Sequence, residues 1–410
     1  MPETPYQSVL VKTWNILERL APEDLMSPVL SLDSVMKSAI KIAGCDDFGS
    51  SDFYQPLERL LQSLQETGDL HPFGKFYVKA IIAELLANRL RVVDLWGRHP
   101  EIKNETVRQP IIIMGLPRTG TSFLFNLLSQ DPVNRVLTNW EATVSQAPPS
   151  GSYVFKCDPR RRKGKFLMYF QNYLVPQMKD MHQFYLDGPE ECTPILMQAF
   201  ATQALAGMFN VPAYSGWLDG ASHTATYQHH KRALQTLQWK YPAERWVLKS
   251  PDHMAAIKDI LGVYPDACVI HMHRDPVKSV ASWASLNEAF RGIYMRSVNA
   301  GELGPQVLRR LATDVQSYLS QRQKCDSDRF MDLLYDDLIS NPLSAVKRIY
   351  SRFGITLSGE GEQRLKDFLG KDRVKKREHH YNLQHFGLTS RLVQENFQGY
   401  VDAFEIPGES

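Results

Sequence analysis

The spacing of apolar residues changes along the chain. Near the N-terminus these residues recur every three or four positions, which is the spacing of one face of a helix. One such row consists of Val78, Ile81, Ile82, Leu85, Leu86 and Leu90, and another of Pro56, Leu57, Leu60, Leu61 and Leu64. We therefore predict that residues 1–105 form a helical N-terminal region.

Short apolar runs then replace the helical spacing: Ile111-Ile-Ile-Met114, Arg245-Trp-Val-Leu248 and Cys268-Val-Ile-His-Met272. A helical pattern follows each run, and strands that alternate with helices predict right-handed βαβ units in a parallel sheet. We predict an α/β domain over residues 106–410, in which helices flank a central parallel sheet. Because 410 residues exceed what one simple core accommodates, an insertion or a second domain is expected. We predict a helical insertion at residues 141–240, where the chain becomes rich in loops and helices.

Charge and cysteine content narrow the function classes. The 47 Lys and Arg residues nearly balance the 45 Asp and Glu residues, so nothing indicates nucleic-acid binding and any anion must be bound locally. No run approaches the ~18 apolar residues of a transmembrane segment. The five cysteines are scattered, and no signal peptide precedes the first helix. We expect reduced thiols and a cytoplasmic location.

The segment Gly115-Leu-Pro-Arg-Thr-Gly-Thr-Ser122 joins the first predicted strand to a helix. Its two glycines allow backbone N–H groups to surround an anion at the N-terminus of that helix. The loop is P-loop-like, but Thr121 stands where a Walker A motif has Lys, and the cation is Arg118 instead. An ATP-dependent P-loop kinase is therefore a disfavoured alternative.

Two further motifs begin where predicted strands end. His273-Arg-Asp-Pro-Val-Lys-Ser-Val-Ala-Ser282 offers the Arg274 guanidinium and the Ser282 hydroxyl, which suit a phosphate group. Lys249 follows the strand at 245–248. Ligands of open α/β sheets bind beyond the carboxyl ends of the strands, so the three motifs are expected to meet in one crevice.

These motifs resemble those of sulfotransferases that use 3′-phosphoadenosine-5′-phosphosulfate (PAPS), in the bacterial-type branch with a Gly-x-Pro-Arg-[Ser/Thr]-Gly-Thr loop. Further segments also resemble sequences of this branch, so that the resemblance covers roughly residues 35–405. They are Ala43–Gly49, Trp246–His253, Tyr335–Leu338 and His380–Gly387. The resemblance implies that the 5′-phosphosulfate is held by Arg118, Thr119, Gly120, Thr121 and Ser122. It assigns the 3′-phosphate to Arg274 and Ser282, with help from one of the C-terminal basic residues Lys371, Arg373, Lys375, Lys376 and Arg377, of which Arg377 is our candidate.

The implied reaction moves a sulfuryl group by in-line displacement to a hydroxyl of a small or lipid-like acceptor. It releases adenosine 3′,5′-bisphosphate (PAP) and requires no metal. Lys249 matches a donor-contacting Lys of cytosolic sulfotransferases, but Pro251 stands where those enzymes have their catalytic His. A carboxylate of Gly188-Pro-Glu-Glu-Cys192 is the expected base, with Glu190 preferred over Glu191. His182 and His253 are alternatives, and helix capping is a further role for the acidic pair.

Several questions stay open at this level. A non-catalytic nucleotide-binding or scaffold protein of the same fold is a second alternative to an active sulfotransferase. For the oligomeric state, a homodimer is one option. The pairs His229-His230 and His379-His380 cannot easily share a metal, so we predict no metal site. The stretches 166–170 and 173–178 suit an apolar acceptor pocket or a core helix equally, and the basic run Arg160–Lys165 suits an anionic carrier, a membrane or a solvated loop.

Overall fold

A computed structural model describes residues 8–17, 29–148, 158–177, 185–242, 244–371 and 382–408. The first α-helices in this part of the chain are α1 (Val9–Leu17), α2 (Leu32–Ala43), α3 (Tyr54–Thr67), α4 (Pro72–Arg98), α5 (Thr121–Leu128), α6 (Asn139–Thr143), α7 (Arg160–Leu174), α8 (Thr193–Leu196) and α9 (Gln203–Met208). They are followed by α10 (Pro212–Leu218), α11 (Thr224–Gln238), α12 (Ile257–Val263), α13 (Pro276–Tyr294), α14 (Ala300–Arg322), α15 (Tyr335–Ser340), α16 (Pro342–Arg352), α17 (Gly359–Lys371) and α18 (Ser390–Ala403).

The strands are β1 (Ile111–Gly115), β2 (Asn134–Arg135), β3 (Arg245–Lys249), β4 (Cys268–His273) and β5 (Phe330–Leu334). They form one parallel sheet in the order β2-β3-β1-β4-β5, with Ile113 beside Lys249 and Gly115 beside Met272. The predicted α/β fold, with its P-loop-like central sheet, is confirmed. The apolar runs correctly indicated β1, β3 and β4, whereas β2 and β5 were not predicted.

Helices cover both faces of the sheet because successive strand residues point to opposite sides. Ile111 and Ile113 pack in the core cluster that includes Leu124 of α5 and Ile349 of α16. Ile112, between them, packs in a different cluster with α11 and α12. A strand buried on both faces reads as a continuous apolar run, which is why Ile111–Met114 was recognisable in the sequence.

The two predicted N-terminal helices are confirmed as α3 and α4. His71 caps α4 by accepting a hydrogen bond from the Gly74 N–H at 2.9 Å. Tyr77 of α4 stacks on Tyr294 of α13 with ring centroids 5.8 Å apart, and one large apolar cluster joins α1–α4 to α13 and α14. The boundary at residue 105 stays a prediction. The regular elements described between residues 141 and 240 are helices. Within the described ranges, none of the helices combines the length and the apolar character needed to cross a bilayer.

Candidate active site

Four strand ends form a row along one edge of the sheet. Lys249 ends β3, Gly115 ends β1, Arg274 follows β4 and Tyr335 follows β5, and these four strands are consecutive neighbours in the sheet. Because the strands are parallel, all four residues emerge at the same edge. The predicted convergence of the three motifs therefore follows directly from the topology.

The loop after β1 has the backbone of an anion cradle. Gly115 has φ +153°, Arg118 has φ +68°, and Gly120 caps α5 with φ +89°. These left-handed conformations turn the chain sharply, so that the first N–H groups of α5 face the loop instead of a preceding helical turn. Gly120 also lies against Tyr335, whose ring would be 3.0 Å from an added Cβ.

We expect Gly115→Ala to destabilise this loop strongly. An added Cβ would lie 2.5 Å from the Met272 carbonyl oxygen and 2.8 Å from the Thr119 hydroxyl, at a φ that L-residues rarely adopt. The free energy of unfolding should fall by about 2–4 kcal/mol, measured by chemical denaturation. Gly97→Ala is the matched control, since an added Cβ there has no neighbour within 4 Å, and equal losses in the two variants would contradict the prediction.

The second phosphate motif touches the first. The Arg274 Nη1 donates to the Arg118 carbonyl at 3.2 Å, and its guanidinium lies 3.9 Å from the centre of the Tyr335 ring. From the following helix, the Ser279 hydroxyl donates to the Pro117 carbonyl at 2.5 Å. Segments more than 150 positions apart in the chain thus form one wall of the crevice.

The strand that carries Arg274 is anchored by a polar network beneath it. His273 is buried and contacts the Tyr400 hydroxyl at 2.9 Å and the Asp332 carboxylate at 3.0 Å. Arg322 donates to both oxygens of Asp332, and these partners keep the pKa of that carboxyl below its usual range. His271 and His273 place ring nitrogens within 4.8 Å of the Asp332 carboxylate, a grouping that could hold a metal ion. The positive charge of Arg322 already balances the negative charge of that carboxylate.

On the other side of the loop, Lys249 joins the loop to the predicted base segment. Its ammonium donates to the Ser122 hydroxyl at 3.1 Å and forms a close ion pair with Glu191. Glu191 also accepts from the Thr193 hydroxyl at 3.1 Å. Lys249 is buried, so its ammonium is shielded from water, and this cation lies beside the anion-binding end of α5.

Glu190 points to a different partner. Its carboxylate accepts from the Asn139 side chain at 2.6 Å and from the Glu191 backbone N–H at 3.0 Å. The backbone N–H of Glu190 donates to the Leu137 carbonyl at 2.8 Å, which fixes this segment against the start of α6. Glu190 is buried and Glu191 is partly exposed, so the two adjacent carboxylates have distinct environments.

Residues 110–359 match the sequence profile of the sulfotransferase family. The chain belongs to this family. It is 27% identical over 266 residues to the omega-hydroxy-beta-dihydromenaquinone-9 sulfotransferase Stf3 of Mycobacterium bovis and of Mycobacterium tuberculosis. That match covers 60% of this chain and 63% of each relative, so this chain spans less than two thirds of the curated relatives' length.

Two solved sulfotransferase structures share the fold. Sulfotransferase STF9 of Mycobacterium avium superposes with a TM-score of 0.86 at 29% identity, over 93% of this chain and 99% of that chain. STF1 of Mycobacterium tuberculosis gives a TM-score of 0.80 at 30% identity, over 90% of this chain and 98% of that chain. The likeness therefore includes the N-terminal helices as well as the sheet.

Two of the predicted site residues of this sulfotransferase have side chains that are buried instead of facing the crevice. The Thr119 hydroxyl is fully buried and donates to the Leu116 carbonyl at 2.7 Å, so it braces the loop from inside instead of facing the crevice. His253 is also buried, with Nδ1 at 2.8 Å from the Tyr227 hydroxyl, and burial lowers the pKa of its imidazole. His182, Arg377 and the other basic residues at 373–376 lie outside the described residues, as does the side chain of Lys371.

The remaining predicted residues differ in exposure. Arg118 and Ser122 are exposed, Thr121 is half-buried in the first turn of α5, and Ser282 is buried on α13 beyond Arg274. The structure adds four residues that sequence reasoning left without a role: Asn139, Asp252, Ser279 and Tyr335. Asp252, Ser279 and Tyr335 stand inside segments that were recognised, whereas nothing in the sequence indicated Asn139.

A cavity of about 360 Å³ adjoins the phosphate loop at Gly115 and Pro117. Its wall includes Asp252 after β3 and Trp283 on α13. Burial raises the pKa of Asp252 to about 6, although the carboxylate accepts from the Gln203 N–H at 2.9 Å. The cavity thus combines an aromatic surface with buried hydrogen-bonding groups, a lining that suits a hydroxyl-bearing molecule.

Proposed function

We propose that this sulfotransferase moves the sulfuryl group of PAPS to a hydroxyl group of a small or lipid-like acceptor. The observation that carries the proposal is the 3.2 Å contact between Arg274 and the Arg118 carbonyl. It means that a cation suited to a 3′-phosphate and a loop suited to a 5′-phosphosulfate lie on one crevice. A nucleotide with phosphate groups at both positions can therefore engage both segments at once.

On this proposal the loop and the N-terminus of α5 hold the 5′-phosphosulfate. Backbone N–H groups from Gly120 to Ser122 supply donors, and the exposed Arg118 side chain adds a positive charge. Arg274 and Ser282 hold the 3′-phosphate, which ATP lacks. Lys249 is placed to neutralise charge on the oxygen that bridges sulfur and phosphorus, because it already contacts Ser122 on the loop.

The transfer is an in-line displacement. A new bond forms between the acceptor oxygen and sulfur while the bond between sulfur and the bridging phosphate oxygen breaks, and PAP leaves with the electron pair of that bond. The hydroxyl proton passes to a protein base. Positioning and charge stabilisation supply most of the rate enhancement, as in phosphoryl transfer. We expect Arg118 and Lys249 to supply the positive charge here, without a metal.

We assign the base to Glu190 and give Glu191 a positioning role. Glu191 is engaged in an ion pair with the Lys249 ammonium, which orients that cation beside the loop. Glu190 accepts hydrogen bonds from the Asn139 side chain and from the Glu191 backbone N–H. Asn139 also holds the Glu190 carboxylate in a fixed orientation, which a general base requires.

The acceptor is proposed as a class only. Stf3 is named for a hydroxylated menaquinone, a lipid that carries the hydroxyl at the end of an apolar chain. In the present chain the cavity beside Gly115, with Trp283 and Asp252 in its wall, suits the hydroxyl-bearing end of an acceptor. We therefore propose an amphipathic hydroxyl compound.

The four free cysteines in the described part of the chain support the expected cytoplasmic location.

The proposal is tested with the purified full chain, radiolabelled PAPS, EDTA, and lipid and aqueous cell extracts as acceptor sources. We expect labelled products whose masses increase by one sulfuryl group, and PAP binding that exceeds AMP binding by isothermal titration calorimetry. Transfer from ATP with Mg²⁺, but none from PAPS, would replace the proposal with a kinase. PAP binding without transfer to any fraction would favour a nucleotide-binding scaffold.

A further inference from the structure

The outer side of α7 carries an exposed aromatic row. Phe166, Tyr169 and Tyr173 are 64%, 60% and 47% exposed. Their spacing of three and four residues places them on one side of the helix, one above the other. Inward-facing residues of α7 pack normally, since Leu174 is buried and Phe170 meets Tyr77 edge-on at 5.7 Å. The row therefore lies on the surface, and neither alternative that the sequence left open, an acceptor pocket or a core helix, describes it.

Helix α1 extends this apolar surface. Its residues Val9 and Leu10 are exposed, and the Leu10 N–H lies 3.4 Å from the Tyr173 hydroxyl, which brings the two helices together. We call the surface formed by Phe166, Tyr169, Tyr173, Val9 and Leu10 the α1/α7 face. Neither helix contains an acidic residue, whereas α7 begins with Arg-Arg-Arg-Lys-Gly-Lys.

The basic residues of α7 divide into two groups. Arg160, Arg161 and Lys163 form ion pairs with Asp158, Asp187 and Glu84. Arg162 and Lys165 are exposed and form no ion pair with any residue that the structure describes.

Lys165 lies beside the aromatic row, with its ammonium 5.9 Å from the centre of the Tyr169 ring. The α1/α7 face therefore combines exposed aromatic rings with positive charge that is not neutralised within the described chain.

From this combination we propose that the α1/α7 face docks on an anionic lipid bilayer. Aromatic and aliphatic side chains on one side of a helix enter the interfacial region of a membrane, and neighbouring Lys and Arg residues bind anionic headgroups. Contiguous exposed apolar surface is unusual on a protein without a partner for it. The charge favours a negatively charged partner, and a bilayer accepts both the rings and the cations.

The buried side of α7, opposite the exposed row, packs against the helix that contacts the proposed base. Gly164 of α7 packs so closely on α6 that an added Cβ would lie 2.9 Å from the Trp140 Cβ. The neighbouring residue in α6, Asn139, binds Glu190 at 2.6 Å. Docking would therefore hold the segment with the proposed base near the membrane, where an amphipathic hydroxyl compound is dissolved. This consequence, unlike the docking itself, rests on the proposed function.

The test is co-sedimentation of the full chain with vesicles of phosphatidylcholine alone or mixed in equal parts with phosphatidylglycerol. We expect partition into the anionic vesicles only. The double variant Arg162→Gln/Lys165→Gln should reduce the partition coefficient for the anionic vesicles about 30-fold. The double variant Phe166→Ser/Tyr169→Ser should reduce it about tenfold or more. Matched controls are Lys37→Gln/Arg391→Gln for charge and Ile339→Ser/Leu392→Ser for exposed apolar residues, and they should bind like the wild type.

Each outcome is decisive because PAP binding is measured on the same samples. If the wild type does not partition into anionic vesicles, or if the variants and their controls lose vesicle binding equally, the docking proposal is overturned. Normal PAP binding in the same samples would leave the proposed function standing. A dimer that the Phe166→Ser/Tyr169→Ser variant converts to monomer, seen by light scattering without vesicle binding, would assign the face to self-association instead. Vesicle binding without PAP binding would retain docking and remove the proposed function.

Discussion

Replacing Arg274 with Ala is expected to weaken PAP binding about 100-fold, equivalent to about 3 kcal/mol. The guanidinium is the charged group that the second motif brings against the loop, as its 3.2 Å contact with the Arg118 carbonyl shows. AMP lacks the 3′-phosphate, so its affinity should change by no more than about threefold. Calorimetric titration of wild type and variant with both nucleotides measures the two effects directly.

The comparison of the two nucleotides separates binding from folding. Arg274 also stacks on Tyr335, so its removal could disturb the loop as a whole. A disturbed loop would lose affinity for PAP and AMP alike, whereas a lost 3′-phosphate contact affects PAP alone. Arg348→Ala, at an exposed position on α16, is the matched control. Equal losses for the two nucleotides would remove Arg274 from the 3′-phosphate site.

The sheet could be predicted only where its strands are buried on both faces. β1 and β4 are continuous apolar runs for this reason, and their parallel arrangement followed from the helices between them. β5 lies at the edge of the sheet and contains Asp332, whose carboxylate is satisfied by His273 and Arg322 from distant segments. A short strand with a charged residue at its centre lacks the apolar signal of its neighbours. β2 has only two residues, too few to form any pattern.

The same distinction applies to the candidate site. Arg118, Lys249 and Arg274 directly follow or lie near strand ends, so the topology alone brings them to one edge. The position of His253 could not be predicted, because the short turn after Lys249 directs its ring toward Tyr227 in the core. The partner of Glu190 was equally hidden, since Asn139 reaches it across 51 positions of sequence. Local pattern indicates which residues end strands, but side-chain direction depends on packing between distant segments.

Glu190→Gln is expected to lower kcat between about 100-fold and about 10,000-fold, the range that general base catalysis contributes. The amide keeps the shape of the side chain and can still accept the hydrogen bond from Asn139, but it cannot take the proton of the acceptor hydroxyl. PAP affinity should therefore change by no more than about threefold. Steady-state transfer to one identified acceptor, with calorimetric PAP binding on the same preparations, measures both quantities.

Glu191→Gln distinguishes the two adjacent carboxylates. It removes the charge that holds Lys249, so we expect altered PAP affinity together with a loss in kcat of about tenfold or less. Glu101→Gln, at an exposed position, should leave both quantities unchanged. The larger kcat loss in Glu191→Gln, at unchanged PAP affinity, would transfer the role of base to Glu191. Full activity in both variants would exclude a carboxylate base, and His182 would then be the residue to replace, because burial holds the His253 imidazole in the core beside Tyr227.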